Sequence, residues 1–223
     1  MPKITTHVRA ALFGFALSGA LACVASADPA PMMPMTFPHG GHDITKVTSG
    51  TYTLDTNHVG VIARVSHLGF SFSVFRFDRA KATLTWNALA PAKSTLNASV
   101  ETGSIATNVA GFAADLAGDK YLKSAAFPEA TFVSTSFHKT DSTHGTVKGN
   151  FTLMGKTVPV IFKVSLVGAG HGFAGGPVMG DVIGVHAETK IKPQDFGLPA
   201  LFDQPIELVI DTEFDKPDVQ PKG

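Results

Sequence analysis

The 223-residue sequence is poor in the residues that most often advertise chemistry, with one cysteine, one tryptophan and two tyrosines. A lone cysteine, Cys23, forms no internal disulfide and no cysteine-based zinc site, so both frameworks are excluded. Charge of one sign is missing too: 18 basic residues face 18 acidic ones, and only 16% of positions are charged. No basic patch interleaved with aromatics is present to hold nucleic acid. The longest uncharged apolar run, Ala10 to Val24, is about 15 residues where a membrane span needs roughly 20. No H-E-x-x-H, C-x-x-C or glycine-rich phosphate loop occurs. Gly69-Phe70-Ser71-Phe72-Ser73 has serine where a nucleophile elbow needs its last glycine. Catalysis is therefore not expected.

The apolar run reads instead as an export signal over residues 1–27, with Lys3 and Arg9 before it and Ala25-Ser26-Ala27 as an A-x-A cleavage site. The mature protein is then periplasmic, begins near Asp28, contains no cysteine and has no membrane span. Cys23 raises the alternative of an acylated lipoprotein, to which Ala20-Leu21-Ala22 is a poor lead. Residues 28–48 are rich in Pro, Met and His without periodicity and read as a flexible tail. Met32, Met33, Met35, His39 and His42 would suit copper outside the cytoplasm; the plainer reading is a linker, and no metal site is expected.

What the chain does have is alternation. Apolar residues recur every second position in about nine or ten segments between Gly50 and Phe214, the pattern of strands with one apolar face. Leu68, Phe70, Phe72 and Val74 alternate with His67, Gly69, Ser71 and Ser73. The parity then flips, with Val74 and Phe75 adjacent, which reads as a bulge or corner. Leu84 and Trp86, Phe132, Phe151 and Leu153, and Phe162 and Val164 mark the inner faces of later strands. Gly155-Lys156 reads as the turn of a hairpin, Pro159 as a local edge or bulge, and Gly168 to Gly180 as a long flexible loop. Only Asn108 to Leu122 has helical spacing, with Asn108 as N-cap and Gly118 as terminator. Many strands and one short helical segment predict an all-β antiparallel barrel over residues 49–216, followed by a C-terminal tail over 217–223. The helical segment is expected to cover one end.

The residues also resemble the YceI-like family of exported lipid-binding proteins. YTLDTNHVGVIARVSHLGFS is similar to that family's opening, through Tyr52, Asp55, His58, His67 and Gly69. SVETGSIATN matches through Ser104 and Thr107, and YLKSAAFPEATFVST through Leu122, Ser124, Phe127, Pro128, Phe132 and Ser134. GTVKGNFTLMGKTVPVIFKV matches through Gly149, Thr152, Leu153, Gly155, Thr157 and Pro159, and Asp195-Phe196-Gly197 matches a late D-F-G. Two departures stand out. Phe75 replaces a family glycine while Ala80 and Ala82 replace a phenylalanine and a glycine, which moves a cavity wall. Gly118-Asp119-Lys120 stands where an Arg-Asp pair is usual. The resemblance implies a lipocalin-like barrel, an exported location and a polyisoprenoid or similar long apolar amphiphile as ligand.

The sequence thus predicts a periplasmic carrier of a polyprenol or quinone-like lipid, with no cofactor beyond that lipid. The predicted ligand-binding residues are Leu68, Phe70, Phe72, Phe75, Phe77, Leu84, Trp86, Phe132, Phe151, Leu153, Phe162 and Val164, with His67 as a polar handle. Asp55 is read as a turn or surface residue, and a homodimer is left open. The rival reading is a non-catalytic structural or stress-related interaction module whose barrel is filled by its own rings.

Overall fold

A computed structural model describes residues 36–218. The expected signal peptide, Met32, Met33, Met35 and residues 219–223 lie outside the described residues, and the compact unit that contains the barrel starts at Phe37.

The strands are β1 (Gly50–His67), β2 (Ser71–Phe77), β3 (Ala80–Trp86), β4 (Thr95–Glu101), β5 (Ile105–Ala106), β6 (Glu129–Lys139), β7 (His144–Leu153), β8 (Lys156–Phe173), β9 (Met179–Ile191) and β10 (Ile206–Pro217). Two short helices interrupt them, α1 (Phe112–Ala117) and α2 (Pro193–Phe196). Pairing runs antiparallel in the order β10-β9-β8-β7-β6-β4-β3-β1, and β1 pairs back onto β10, so eight strands close into a lipocalin-like barrel. Closure removes the sheet edges that an open sheet would expose. Strand β3 lies against the start of β1, and β2 extends the same line along its end.

The break in that line falls at Asp78 and Arg79. There Ser104 accepts the Asp78 amide on its carbonyl at 3.2 Å and the Arg79 amide on its hydroxyl at 3.1 Å. The corner expected at Val74 and Phe75 is absent: Arg64 faces Val74 and Ala63 faces Phe75 with no shift of register. Both faces of β2 carry apolar side chains, and this produces a parity flip in the sequence without any bulge.

The β7–β8 hairpin is as expected but turns one residue earlier, on Met154 and Gly155 with φ of 49° and 73°. Those positive angles are the type I′ geometry that matches strand twist. Pro159 pairs only with Asn150 of β7, because β9 joins β8 no earlier than Lys163. Its missing N–H therefore faces a local edge. Gly168 to Gly180 is not a long loop: β8 runs through it to Phe173 and β9 resumes at Met179. Helix α1 starts at Phe112 after Gly111 in the left-handed region at φ 79°, so Asn108 is not its cap, while Gly118 ends it as expected.

Part of the expected tail is ordered against the barrel. Gly41 exchanges backbone hydrogen bonds with Ala169 at 3.0 and 2.7 Å, and Val47 is 2% exposed. The Thr48 amide and hydroxyl donate to Asp181 at 2.9 and 2.6 Å, which ties the entry of β1 to β9. His39 and His42 remain exposed.

Candidate functional site: a one-ended apolar cavity

One end of the barrel is plugged. Phe196 of α2, 1% exposed, meets Phe151 edge-on at 5.3 Å, and Phe112 of α1 tilts against Phe75 at 6.2 Å. Phe132 and Phe162 cross edge-to-face at 5.2 Å in the same cluster, and Leu116 and Leu122 close over it. The helical segment thus covers an end, as its spacing suggested.

Toward the opposite end a second buried cluster, with Tyr52, Leu84, Ile183 and Phe214 among its members, leaves a gap beside it. A cavity of about 160 Å³ lies between Leu84, Trp86, Phe137, Val164, Ile183 and Val185. Its rim is the β6–β7 turn, where Asp141 accepts the Thr143 and His144 amides at 2.8 Å each and contacts the His144 ring at 3.0 Å. The Thr143 amide and His144 together draw the Asp141 carboxyl down to about 2, so the rim carries a fixed negative charge beside Lys139 and His144. Trp86 stands on the apolar wall, and its indole N–H is buried with no hydrogen-bond partner among the described residues. A buried donor left unpaired costs roughly 1–3 kcal/mol.

Several inner-face side chains, among them Val185, Leu208 and Ile210, are only half-buried. A core of interior density would leave them covered.

The predicted residues divide three ways. Leu84, Trp86 and Val164 line the cavity. Phe75, Phe132, Leu153 and Phe162 are buried in the plugged half, with Phe77 and Phe151 packed against them. Leu68, Phe70 and Phe72 are outside the barrel, 79%, 87% and 47% exposed, and His67 is exposed beside them. Leu68 and Gly69 form the β1–β2 turn with φ of 53° and 76°, and the Phe70 amide donates to the His67 carbonyl at 3.0 Å. That turn sets the register, so Ser71, Ser73, Phe75 and Phe77 face inward, whereas Phe72 stacks outside under the Arg64 guanidinium at 4.5 Å. A one-residue change of phase exchanges the two faces of a strand. Phe137, Ile183 and Val185 were missed. A register shift between Ser134 and Ser136 hides the phase of Phe137, whereas the alternation of Ile183, Val185 and Ala187 was there to be read.

Comparison with known proteins follows the same outline. A family model described as YceI-like domain matches residues 52–214. Protein YceI of Salmonella arizonae is 35% identical over 161 residues, covering 70% of this chain and 81% of that protein. The crystal structure of Burkholderia cenocepacia BcnA superposes with a TM-score of 0.62 at 17% identity, over 72% of this chain and 98% of that one. A structure described as a polyisoprenoid binding domain from Saccharophagus degradans, implicated in plant cell wall breakdown, superposes at 0.52 with 14% identity, over 74% and 98% of the two chains. At these identities the two structures attest the fold.

Proposed function

The chain belongs to the YceI-like family, and from that premise we propose that it binds a long isoprenoid lipid, a polyprenol or quinone-like amphiphile, inside the barrel and carries or sequesters it in the periplasm. The observation that carries the reading is the apolar cavity, with Trp86 on its wall, beneath a polar rim. The polyisoprenoid-binding description of a neighbour with the same fold supports it. The tail enters from the β6–β7 rim, and the headgroup stays near Lys139 and His144.

The cavity of about 160 Å³ is smaller than the roughly 300–1,000 Å³ of ordinary ligand sites, so a long tail requires the interior to widen. The half-buried Val185 on the cavity wall is where it widens at least cost. Burial contributes about 0.8 kcal/mol per methylene, so each added isoprene unit within the barrel should tighten binding several-fold or more.

Trp86, the only tryptophan of the chain, reports on this site directly. Titration with a long-tailed quinone should quench its emission saturably at one ligand per chain, and a tailless quinone should do so far more weakly. Quenching that is linear in quinone and indifferent to the tail would overturn the proposal.

One observation favours the rival. The rings packed at the plugged end and the exposed Leu68, Phe70 and Phe72 fit an interaction module with a filled barrel. Absence of any apolar ligand together with capture of a protein through the β1–β2 tip would select that reading.

A further inference from the structure

Strands β1 and β10 form the seam that closes the barrel, and the seam carries an irregularity that the lipid reading does not use. Leu54 pairs with Phe214 and Val59 with Thr212, so the four residues Asp55 to His58 face the single residue Glu213. The bulge folds its two ends together: the His58 ring nitrogen Nδ1 lies 2.7 Å from Asp55 Oδ2 and 3.9 Å from Glu213 Oε2. One ligand atom from each of Asp55, His58 and Glu213 falls within 4.8 Å of the others. Far from being a surface group, Asp55 is 8% exposed, and its other oxygen accepts the Asn57 amide at 2.7 Å.

Three clustered side chains alone would be an ordinary ion pair with a neighbour. The second observation is Asp215, next along the same face of β10 and opposite Thr53. It is 5% exposed, and neither carboxylate oxygen has a hydrogen-bond partner among the described residues. The Gly175 amide faces the carboxylate and works against the effect of burial. After burial itself, the charges that act on it most are Asp55 and Glu213. Buried carboxylates are almost always paired, hydrogen-bonded or bound to a metal, and this one is the exception among the described residues. Three carboxylates here share one imidazole, and the shortfall is positive charge.

We propose that Asp55, His58 and Glu213 bind a divalent transition-metal cation at the barrel seam, with Asp215 as the supporting carboxylate. One imidazole and two carboxylates form a borderline set that suits zinc or a similar first-row ion better than calcium or magnesium, which prefer all-oxygen shells. With ligands at about 2.0–2.1 Å from zinc, tetrahedral neighbours stand roughly 3.3 Å apart. The Asp55–His58 contact must then open by a little over half an ångström, a shift that the irregular bulge allows without disturbing the ladder on either side. The exposed His58 leaves an entry path and one position open to water. The ion would cross-link the two strands whose pairing closes the barrel. The lipid reading is not needed for this proposal.

The probe is zinc alone, titrated calorimetrically into the full chain carrying His39→Ala and His42→Ala, so that the N-terminal histidines do not compete. The expected result is one zinc per chain with micromolar affinity, weakened at least tenfold by His58→Ala or Asp55→Asn and severalfold by Asp215→Asn. Zinc at about a hundred times its dissociation constant should also raise the melting temperature of the parent by about 5 °C or more, which keeps the test valid if a variant folds poorly. No binding and no thermal shift at millimolar zinc, or unchanged affinity in a folded His58→Ala protein, would overturn it.

Discussion

The orientation of the aromatic strands can be tested by comparing two phenylalanine truncations. Phe162 is 6% exposed and crosses Phe132 edge-to-face at 5.2 Å, whereas Phe70 is 87% exposed at the tip of the β1–β2 hairpin. Removing a buried phenylalanine costs about 3–5 kcal/mol through lost transfer energy and the cavity left behind, and the edge-to-face pair places Phe162→Ala near 4 kcal/mol. A solvent-facing ring away from any cap or network changes stability by no more than about 0.5 kcal/mol, which is the expectation for Phe70→Ala. In a domain of this size, 4 kcal/mol lowers the melting temperature by about 8–16 °C. The assay is urea unfolding of both variants after organic extraction, because a bound ligand would add its own stabilisation. Equal m-values with a midpoint lowered only in Phe162→Ala would agree with the structure. A loss above 2 kcal/mol in Phe70→Ala, or below 1 kcal/mol in Phe162→Ala, would mean that β2 has the opposite phase or that the plugged half is not packed as described.

Three further outcomes follow from the same geometry. Burial alone would raise the Asp181 carboxyl, but the Thr48 amide and hydroxyl and the Lys216 ammonium at 2.9 Å outweigh it and hold the group well below the usual carboxylate range. A folded-state value below the unfolded one contributes stability that is present above about pH 4 and is lost as pH falls further. Asp181→Asn should therefore cost about 2 kcal/mol at pH 7 and flatten the acid limb of the stability profile, as read by urea midpoints between pH 7 and 2; an unchanged acid limb would deny the network that role. Val185→Phe, which intrudes on the cavity wall, should cost about 1–3 kcal/mol by overpacking and lower lipid occupancy severalfold in native mass spectra, while equal occupancy would place the lipid elsewhere. Trp86→Phe keeps the apolar wall but removes the unpaired N–H, so quinone should bind more weakly if its carbonyl takes that donor, with the ligand-free protein about as stable as before or slightly more so.

The barrel was legible because closed antiparallel sheets impose a period of two that survives in most strands, and the hairpin at Met154 and Gly155 was visible to within one residue. The plug was partly legible, since the helical spacing near Leu116 stands apart from the strands. The phase of β2 was not. Leu68, Phe70, Phe72 and Val74 alternate as well as Ser71, Ser73, Phe75 and Phe77 do, and the choice between them is made by two left-handed residues in the preceding turn. The site residues followed the same division: Leu84, on a strand without register shifts, and Val164, ahead of the shift between Leu166 and Gly168, line the cavity, and Phe137 was lost behind a register shift. The Asp55, His58 and Glu213 cluster could not be read from spacing, because its third member arrives on the last strand through the closure of the barrel.

Native mass spectrometry followed by organic extraction, on protein released gently from its own host, tests the central claim most directly. The account predicts one apolar ligand of several hundred daltons per chain, released by solvent and identifiable as an isoprenoid by its mass. Protein that emerges empty and takes up neither added polyprenol nor added quinone would contradict it.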